Sequence, residues 1–504
     1  MKLFSIRGGV HPHDHKHLSA EQPIVAIPLP PLLHIPLQQH IGAMAKPVVR
    51  RGDLVRKGQL IARAQGAISA PVHAPTSGRI VGIGSYSAHH PSDLKVGAIT
   101  LQPDGEERWV EPQEAPPDPF TLSAEQITRR VAEAGIVGMG GATFPSAIKL
   151  NLGKRFSLHT LVINGAECEP YLTCDDRLMR EYSAEVVDGV RIMAHALGVE
   201  RVILAIENNK PQAQQAMRAA VAAFAEMTVV GLPTRYPMGS ERHLVQVVTG
   251  EETPARCLTA EIGVVVHNTA TALAVHQAMR HQQPLLSRVV TLSGGAMRRP
   301  GNYRVAIGTP VTWLLEQGGG FDEARVARII SGGPMMGQVL GDLRAPVVKG
   351  CNAILALTRE EVGEQAEHPC IRCARCVEAC PCGLLPLEMA RRARAGDLDG
   401  ARTFGLGDCI SCGSCAYVCP ARIPLVQYFN FAKGELANRD RAKQKQLETK
   451  RLAEQRAARL ERQQAEKKAM MERRKQEMAA KKAAEAAAKA AAERSEESSE
   501  ESTA

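Results

Sequence analysis

Aromatic residues are scarce in this sequence of 504 residues. Phe, Trp and Tyr together make up 4% of the chain, whereas hydrophobic residues of all kinds make up 44%. The buried cores must therefore be built mainly from aliphatic side chains. A chain of this length has room for three or four domains, because a single domain usually holds roughly 100 to 200 residues.

Long apolar runs are also missing. No stretch of about 18 uninterrupted apolar residues occurs, and the first part of the chain lacks the basic-then-apolar pattern of a signal peptide. We therefore expect a protein that is neither secreted nor membrane-spanning. Its 13 cysteines would then lie in a reducing compartment, where close groups of cysteines indicate metal sites and not a disulfide framework.

The main part of the chain has no excess of charge of one sign. The formal net charge is +9, but residues 439–494 alone hold 18 Lys and Arg against 9 Asp and Glu. A body near neutrality has no electrostatic footprint for a phosphate backbone, so no nucleic-acid partner is expected. The basic character belongs to the C-terminal tail.

What the chain does have is one cysteine pattern used twice. "CIRCARCVEACP" begins at Cys370 and "CISCGSCAYVCP" begins at Cys409. Thiolates bind zinc, copper(I) or iron–sulfur clusters, so the ligand type alone leaves the metal open. Structural zinc is usually held by two cysteine pairs separated by a loop, whereas three closely spaced cysteines can bind three corners of one cubane. In ferredoxins with two clusters, the fourth cysteine of such a run binds the other cluster.

We therefore predict two 4Fe–4S clusters, each bound by three cysteines of one run and by the fourth cysteine of the other run. The ligands of the first cluster would be Cys370, Cys373, Cys376 and Cys419. Those of the second would be Cys409, Cys412, Cys415 and Cys380. The segment between the two runs has helical spacing, which favours an α-helical ferredoxin domain. The remaining cysteines stand alone and are interpreted as bystanders: Cys168, Cys174, Cys257, Cys351 and Cys382.

The N-terminal hundred residues show short apolar runs broken by Gly-containing turns, which predicts a small all-β sandwich. In "GDLVRKGQ" and "VHAPTSGRI" this segment resembles the biotinyl/lipoyl carrier domains. The chain reads Ile68-Ser69-Ala70-Pro71 where such a domain carries its modified lysine. A scaffold role is therefore predicted for this domain, and not that of a swinging arm.

From about Leu122 onward, strand-like and helix-like segments alternate, which predicts a mostly parallel sheet. "GIVGMGGATFPSAIKL" lies near the start of this region. Its glycines at Gly138, Gly140 and Gly141 would let backbone N–H groups approach a phosphate, with Lys149 as a counter-charge. A Gly-rich turn is a weak signal when it stands alone.

The same stretch resembles the flavin loop of the NADH-binding, FMN-carrying subunit of respiratory complex I and of its hydrogenase relatives. "NGAECEPYLTCDDR", "GEET" and "HNTAT" are similar to further motifs of that family. The resemblance implies a site for non-covalent FMN formed by Gly138, Gly140, Gly141, Lys149, Asn164, Glu167, Glu251, Asn268 and Thr269. It also places Glu252 near the nicotinamide, as the catalytic residue. The chain departs from the family pattern at Met139, Ala166 and His267, which replace an Arg, an Asp and an Asn.

The order of segments resembles one family along nearly the whole chain. "GGAMRRPGNYRV" is similar to the β-grasp (SLBB) ligand-binding family, and an Ala/Lys/Glu-rich tail follows the cysteine runs. The chain is therefore similar to the RnfC/RsxC family of the Rnf/Rsx ion-translocating electron-transport complexes. This resemblance implies a multidomain α/β protein with a barrel-sandwich domain at 1–110, an FMN/NADH-binding α/β domain at 122–280, an SLBB β-grasp domain at 286–345, a two-cluster ferredoxin-type domain at 351–433 and a helical tail at 434–504 with a disordered end from Ser495.

The resemblance also implies a function. The chain would be an oxidoreductase subunit of the translocase class, passing electrons between NAD(H), FMN and two 4Fe–4S clusters. Its expected partners are the other subunits of the membrane complex and, indirectly, ferredoxin. Its expected place is peripheral, on the cytoplasmic side of the cell inner membrane, and it would help to keep a redox-sensing regulator reduced.

Two alternatives to this function stay open. One is a soluble flavin and iron–sulfur cobalamin reductase of the same architecture. The other is a non-catalytic scaffold, whose cysteine domain and tail tether partners. The tail itself is expected to be a solvated helix, and the alternative for it is an adaptor toward a partner or an anionic membrane surface.

Overall fold

The computed structural model describes residues 2–89, 94–111 and 115–500. The chain forms two compact units, Met1–Asn430 and Phe431–Ala504. Within the described residues, no helix is both long enough and apolar enough to cross a membrane.

The N-terminal part is the predicted β-sandwich, built from two small antiparallel sheets. Strand order is β2-β8-β7-β4 in one sheet and β3-β5-β6 in the other. Leu33, Ile35, Ile61, Ile80 and Ile99 are fully buried between them, so the core is aliphatic as the composition predicts. The strands of this part are β1 (Ile24–Ala26), β2 (Leu33–Pro36), β3 (Lys46–Pro47), β4 (Leu54–Val55), β5 (Leu60–Arg63), β6 (Val72–His73), β7 (Gly78–Ser87) and β8 (Lys95–Pro103).

A four-stranded parallel sheet follows, with helices on both faces. Its strand order is β11-β10-β9-β12. Separate clusters of buried aliphatic side chains lie on its two faces, which explains why the strands read as continuous apolar runs. The elements are α1 (Ala124–Glu133), α2 (Ser146–Leu150), β9 (Thr160–Gly165), α3 (Cys174–Glu181), α4 (Ser183–Leu197), β10 (Arg201–Glu207), α5 (Pro211–Val221), β11 (Met227–Leu232), α6 (Glu241–Thr249), β12 (Val264–Asn268) and α7 (Thr269–His281).

The strand order of this sheet reverses at β9. The chain runs outward from β9 through β10 to β11, and then returns to place β12 on the other side of β9. Asn164 of β9 and Asn268 of β12 are partners in the register at the carboxyl ends of these two strands. In open α/β sheets, ligands bind outside the carboxyl ends of the strands at such a reversal.

The β-grasp region forms a mixed six-stranded sheet in the order β1-β14-β13-β17-β15-β16. Two of its strands come from outside the predicted segment 286–345. β1 pairs in parallel with β14, and β17 lies between β13 and β15. β17 is buried along its whole length, so its sequence shows no alternation of apolar and polar residues. Its place in the sheet is therefore decided by tertiary packing. The elements are β13 (Ser287–Ser293), β14 (Gly301–Ala306), α8 (Val311–Gln317), β15 (Val326–Ser331), β16 (Gln338–Val339) and β17 (Ala353–Thr358).

The cysteine region is helical, as predicted for the segment between the two runs. Each run ends in a single helical turn, and two longer helices separate the runs. The elements are α9 (Arg359–Val362), which precedes the first run, α10 (Arg375–Glu378), α11 (Pro386–Arg394), α12 (Leu398–Thr403), α13 (Ser414–Tyr417) and α14 (Leu425–Glu500).

The tail is the long helix α14, most of which belongs to the second unit. Its apolar residues Leu447, Leu452 and Leu460 are exposed. The sequence predicts disorder from Ser495 onward. In the structure, the helical backbone continues to Glu500. Ala, Glu and Lys are strong helix formers, and adding a residue to an existing helix needs no new nucleus. Residues 501–504 lie outside the described part of the chain.

Candidate functional site

A cavity of about 780 Å³ opens where the carboxyl ends of β9 and β12 meet. Five of the residues predicted to bind FMN line it: Gly140, Gly141, Asn164, Glu167 and Asn268. The reversal of strand order brings these residues together from three separate sequence motifs.

The two asparagines at the strand ends are held by hydrogen bonds. Asn268 accepts the N–H of Ala270 at 2.9 Å and so caps α7. Its side-chain amide donates to Asp175 Oδ2 at 2.6 Å. Asn164 donates to the carbonyl of Gly239 at 2.8 Å. Both side chains are therefore oriented before any ligand binds.

The glycine loop that lines the cavity leaves two backbone donors without a partner in the described part of the chain. The N–H of Gly138 bonds to the carbonyl of Phe144 at 2.8 Å and closes the loop on itself. Among the described residues, no partner accepts the N–H groups of Gly140 and Gly141. A Cβ on Gly140 would lie 3.4 Å from Asn268 Cβ, and Gly141 has a φ of +110°, which favours glycine. The loop thus fits the phosphate of FMN, which needs closely approaching N–H donors.

Three acidic residues line the cavity: Glu167, Glu169 and Asp175. The Glu167 carboxylate accepts the N–H groups of Asp175 at 2.7 Å and Asp176 at 3.2 Å, at the start of α3. Burial, together with the neighbouring Glu167, raises the pKa of Asp175. Burial also raises the pKa of Glu169 to about 7. Groups that take up or release a proton near neutral pH therefore stand in the cavity wall.

The other predicted residues lie elsewhere. Within the described part of the chain, the lining of this cavity does not include Gly138, Lys149, Glu251, Glu252 or Thr269. Lys149 Nζ forms an ion pair with Glu241 at 2.9 Å and donates to the Val266 carbonyl at 3.1 Å. Glu251 and Glu252 are exposed in the loop that follows α6. Their predicted roles in binding FMN and the nicotinamide stay predictions.

Sequence reasoning missed the contribution of the β-grasp region to this cavity. The loop from Ser331 to Gln338, which connects β15 and β16, forms part of the lining. Glu169 anchors the loop, because its carboxylate accepts the N–H of Met335 at 3.0 Å and that of Met336 at 2.9 Å. The motif "SGGPMMG" was the available signal, but nothing in it tells which distant segment the loop meets.

The first cysteine site contains the four thiols predicted for the first cluster. Cys370, Cys373, Cys376 and Cys419 line one cavity of about 310 Å³. Cys370 and Cys373 are exposed. The structure therefore brings the last cysteine of the second run to the first three of the first run.

The second cysteine site contains the other four predicted thiols. Cys380, Cys409, Cys412 and Cys415 line a tight cavity of about 20 Å³. Cys382, interpreted from the sequence as a bystander, lines the same cavity. Three of the predicted ligands are buried here, and burial raises the pKa of the Cys415 thiol. Binding of iron therefore has to displace thiol protons.

The two sites share a local backbone geometry that suits a cluster. Arg372 and Ser411, each two residues after the first cysteine of a run, have φ values of 58° and 55°. Their N–H groups point back to the sulfurs of Cys370 and Cys409, each at 3.4 Å. Hydrogen bonds to cluster sulfurs are one of the means by which proteins tune cluster potentials. Each site therefore brings together its four predicted ligands, in a geometry that fits a 4Fe–4S cluster.

The second site and the flavin cavity share a wall. Cys412 and Ile410 line both cavities. Tyr236, which also lines the flavin cavity, is buried and donates its hydroxyl to the carbonyl of Cys412 at 2.6 Å. The first cysteine site has no residue in common with the flavin cavity among the described lining residues.

Four family models match the chain in order. They are the RnfC barrel sandwich hybrid domain over residues 4–106, the Nuo51 FMN-binding domain over 131–277, the SLBB domain over 289–339 and the 4Fe-4S dicluster domain over 369–423. The predicted fold class is confirmed by these matches. So are the predicted cofactors, FMN and two 4Fe–4S clusters.

Among solved structures, the chain is similar to an NAD+-reducing [NiFe]-hydrogenase in the air-oxidized state. The sequence identity is 19%, the TM-score is 0.47, and the match covers 59% of this chain and 61% of the other.

Curated relatives are much more similar. The C subunit of the ion-translocating oxidoreductase complex from Rhodobacter capsulatus is 57% identical over 444 residues, which is 88% of this chain and 85% of the relative. Proteins of the same name from Edwardsiella ictaluri and Haemophilus influenzae are 44% and 42% identical over 92% of this chain, and the matches cover 58% and 69% of those relatives. The chain therefore belongs to the family of the C subunits of ion-translocating oxidoreductase complexes.

Proposed function

We propose that this subunit passes electrons between NAD(H) and the partner subunits of its complex, using the flavin cavity and the two cysteine sites in sequence. The observation that carries the proposal is the position of Cys412, which lines both the second cysteine site and the flavin cavity. A cluster bound at Cys412 would lie next to a flavin bound in the cavity.

FMN exchanges two electrons with a nicotinamide and single electrons with 4Fe–4S clusters, so the two cofactor types together connect two-electron and one-electron chemistry. The task of the chain is to hold and separate them. Gly140 and Gly141 offer N–H donors for the phosphate, while Asn164 and Asn268 orient the polar groups at the strand ends. Glu169 keeps the loop of the β-grasp region in place over the cavity.

The different burial of the two cysteine sites supports an order of electron transfer. The second site has three buried cysteines and adjoins the flavin cavity, whereas the first site has two exposed cysteines. Electrons would therefore move between the cavity and the second site, then the first site, and leave or enter there. The crossed ligation, with Cys419 at the first site and Cys380 at the second, would keep both clusters close together.

Further details of the proposal come from the family resemblance. We expect Glu252 near the nicotinamide, and we expect the protein to be peripheral on the cytoplasmic side of the inner membrane. Ion movement would belong to partner subunits. Electron exchange with ferredoxin and the reduction of a redox-sensing regulator would follow from the position of the protein in the complex.

Anaerobic purification followed by titration with NADH tests the proposal. The protein should carry FMN and about eight irons per chain, and NADH should bleach the flavin absorbance and then the cluster absorbance. Protein that dithionite reduces but neither NADH nor NADPH reduces would contradict the role of the nicotinamide. Absence of FMN would favour a scaffold, and a strict requirement for a corrinoid acceptor would favour a cobalamin reductase.

A further inference from the structure

The second cysteine site has one thiol more than a four-iron cluster needs. Cys382 lines the cavity together with Cys380, Cys409, Cys412 and Cys415. The cavity is small, with a volume of about 20 Å³, and all five cysteines belong to its lining. A 4Fe–4S cluster bound by cysteines takes one sulfur for each of four irons.

The first cysteine site has no such surplus. Among its described lining residues, Cys370, Cys373, Cys376 and Cys419 are the only cysteines. Cys382 lies two residues after Cys380, the last cysteine of the first run. In the second run the corresponding residue is Ala421, two residues after Cys419, and Ala421 lines the first site. The chain thus contains a matched pair of sites, one with a fifth thiol and one without.

Cys382 also differs from the other cysteines outside the two patterns. Cys168, Cys174 and Cys351 line the flavin cavity, and Cys257 lines neither cysteine site among the described residues. Cys382 is therefore the one cysteine of this group that the fold brings to a cluster site.

The local chain explains why both Cys380 and Cys382 reach the cavity. They flank Pro381, whose carbonyl oxygen lies 3.1 Å from Nε2 of the buried His243. The turn closes through a hydrogen bond from the N–H of Gly383 to the carbonyl of Cys380 at 3.2 Å, and Gly383 has a φ of +64°. This turn keeps both side chains at the wall of the site.

Cys380 completes the repeated spacing as the fourth cysteine of its run, and Cys382 does not fit that spacing. The sulfur of Cys380 accepts the N–H of Leu384 at 3.4 Å, as Cys370 accepts from Arg372 and Cys409 from Ser411. Cys380 is therefore the predicted ligand, and Cys382 stands beside it.

We propose that Cys382 is a reserve ligand of the second 4Fe–4S cluster, able to bind the iron that Cys380 normally holds. The proposal rests on the proposed crossed ligation. In the exchange, one iron–sulfur bond to Cys380 breaks and one to Cys382 forms. The proton of the Cys382 thiol passes to the sulfur that leaves, and no electron is transferred.

Variants of the full chain, purified anaerobically, test this assignment. Cys380→Ala should keep about eight irons and eight sulfides per chain with a changed electron paramagnetic resonance spectrum of the reduced protein, while Cys380→Ala/Cys382→Ala should keep about four. Cys382→Ala alone should keep all irons and the parent spectrum. FMN content, measured on each variant, reports whether the flavin domain has folded.

Two results would overturn the reserve role. One is loss of four irons from Cys380→Ala alone, and the other is retention of eight irons by the double variant. Cys419→Ala is the matched control, since the first site has no spare thiol, and it should lose the first cluster. If Cys419→Ala keeps all its irons, or loses the signal of the second cluster instead, then the crossed ligation is wrong.

Discussion

The two cysteine runs have the same spacing and nearly the same backbone, but their surroundings differ. In both runs the second and fourth residues after the first cysteine have positive φ, at Arg372 and Ala374 and at Ser411 and Gly413. The first run has two exposed cysteines, whereas the second run has none and adjoins the flavin cavity. Identical spacing therefore specifies a way of holding a cluster, and not the place of that cluster in an electron path.

The fourth residue after the first cysteine shows what the second run requires. A Cβ on Gly413 would lie 2.8 Å from the carbonyl oxygen of Met335, in the loop that covers the flavin cavity. The first run has Ala374 at the corresponding position, with a φ of 61°. Glycine at 413 thus lets the second run approach the flavin cavity.

The largest difference between the runs should appear in the rate at which a chelator removes iron. After mild oxidation, EDTA should remove iron from the first site several-fold faster than from the second, because the sulfurs of Cys370 and Cys373 are exposed. The two signals can be separated with Cys419→Ala, which should show the second cluster alone. Loss of iron from both clusters at the same rate would contradict the conclusion that the first site is more exposed than the second.

A smaller effect is expected from the hydroxyl that supports the second run. Tyr236→Phe leaves the buried carbonyl of Cys412 without its donor, which should lower the free energy of unfolding by roughly 1 to 3 kcal/mol. Tyr428→Phe is the control near the first run, where the hydroxyl donates to the exposed Glu367 at 3.1 Å. That change should stay within about 0.5 kcal/mol. Equal losses of stability in the two variants, measured by thermal unfolding, would contradict the comparison.

The last prediction concerns the two positions of positive φ. Gly413→Ala should cost about 1 to 2 kcal/mol from the left-handed conformation alone, and it should slow reduction of the clusters by NADH because the loop at Met335 must move. The reverse change in the other run, Ala374→Gly, relieves the same strain and should leave the rate of reduction unchanged. Stopped-flow absorbance would measure both rates. A slower Ala374→Gly protein, or an unaffected Gly413→Ala protein, would show that the approach at Gly413 has no functional role.

Much of the site could be anticipated from local patterns. The spacing of the eight cysteines predicts which of them share a cavity, because a short run ending in proline cannot bring its last sulfur back to the first three. The glycine loop and the two asparagines at the strand ends are implied by motifs that resemble those of a flavin-binding family. Lys149, Glu251 and Glu252 come from the same motifs, and their roles remain to be tested.

Other parts of the site could not be anticipated. Cys382 does not fit the repeated spacing, so only its position in the fold reveals that it lines the second site. The loop at Met335 and the anchor at Glu169 are separated by more than 160 residues, and their hydrogen bonds leave no periodic trace in the sequence. β1 joins the β-grasp sheet through a partner almost 280 residues away.

The sequence by itself determined the iron–sulfur clusters and the alternation of strands and helices, because thiol spacing and apolar periodicity are local properties that the backbone converts directly into geometry. FMN and the classes of the other domains follow from the resemblance of their motifs to known families. Only the tertiary structure decided which cluster site meets the flavin cavity, which one faces solvent and which thiol is in surplus. Those relations depend on contacts between segments far apart in the chain. Such contacts arise from the packing of whole domains, and no short stretch of residues encodes them.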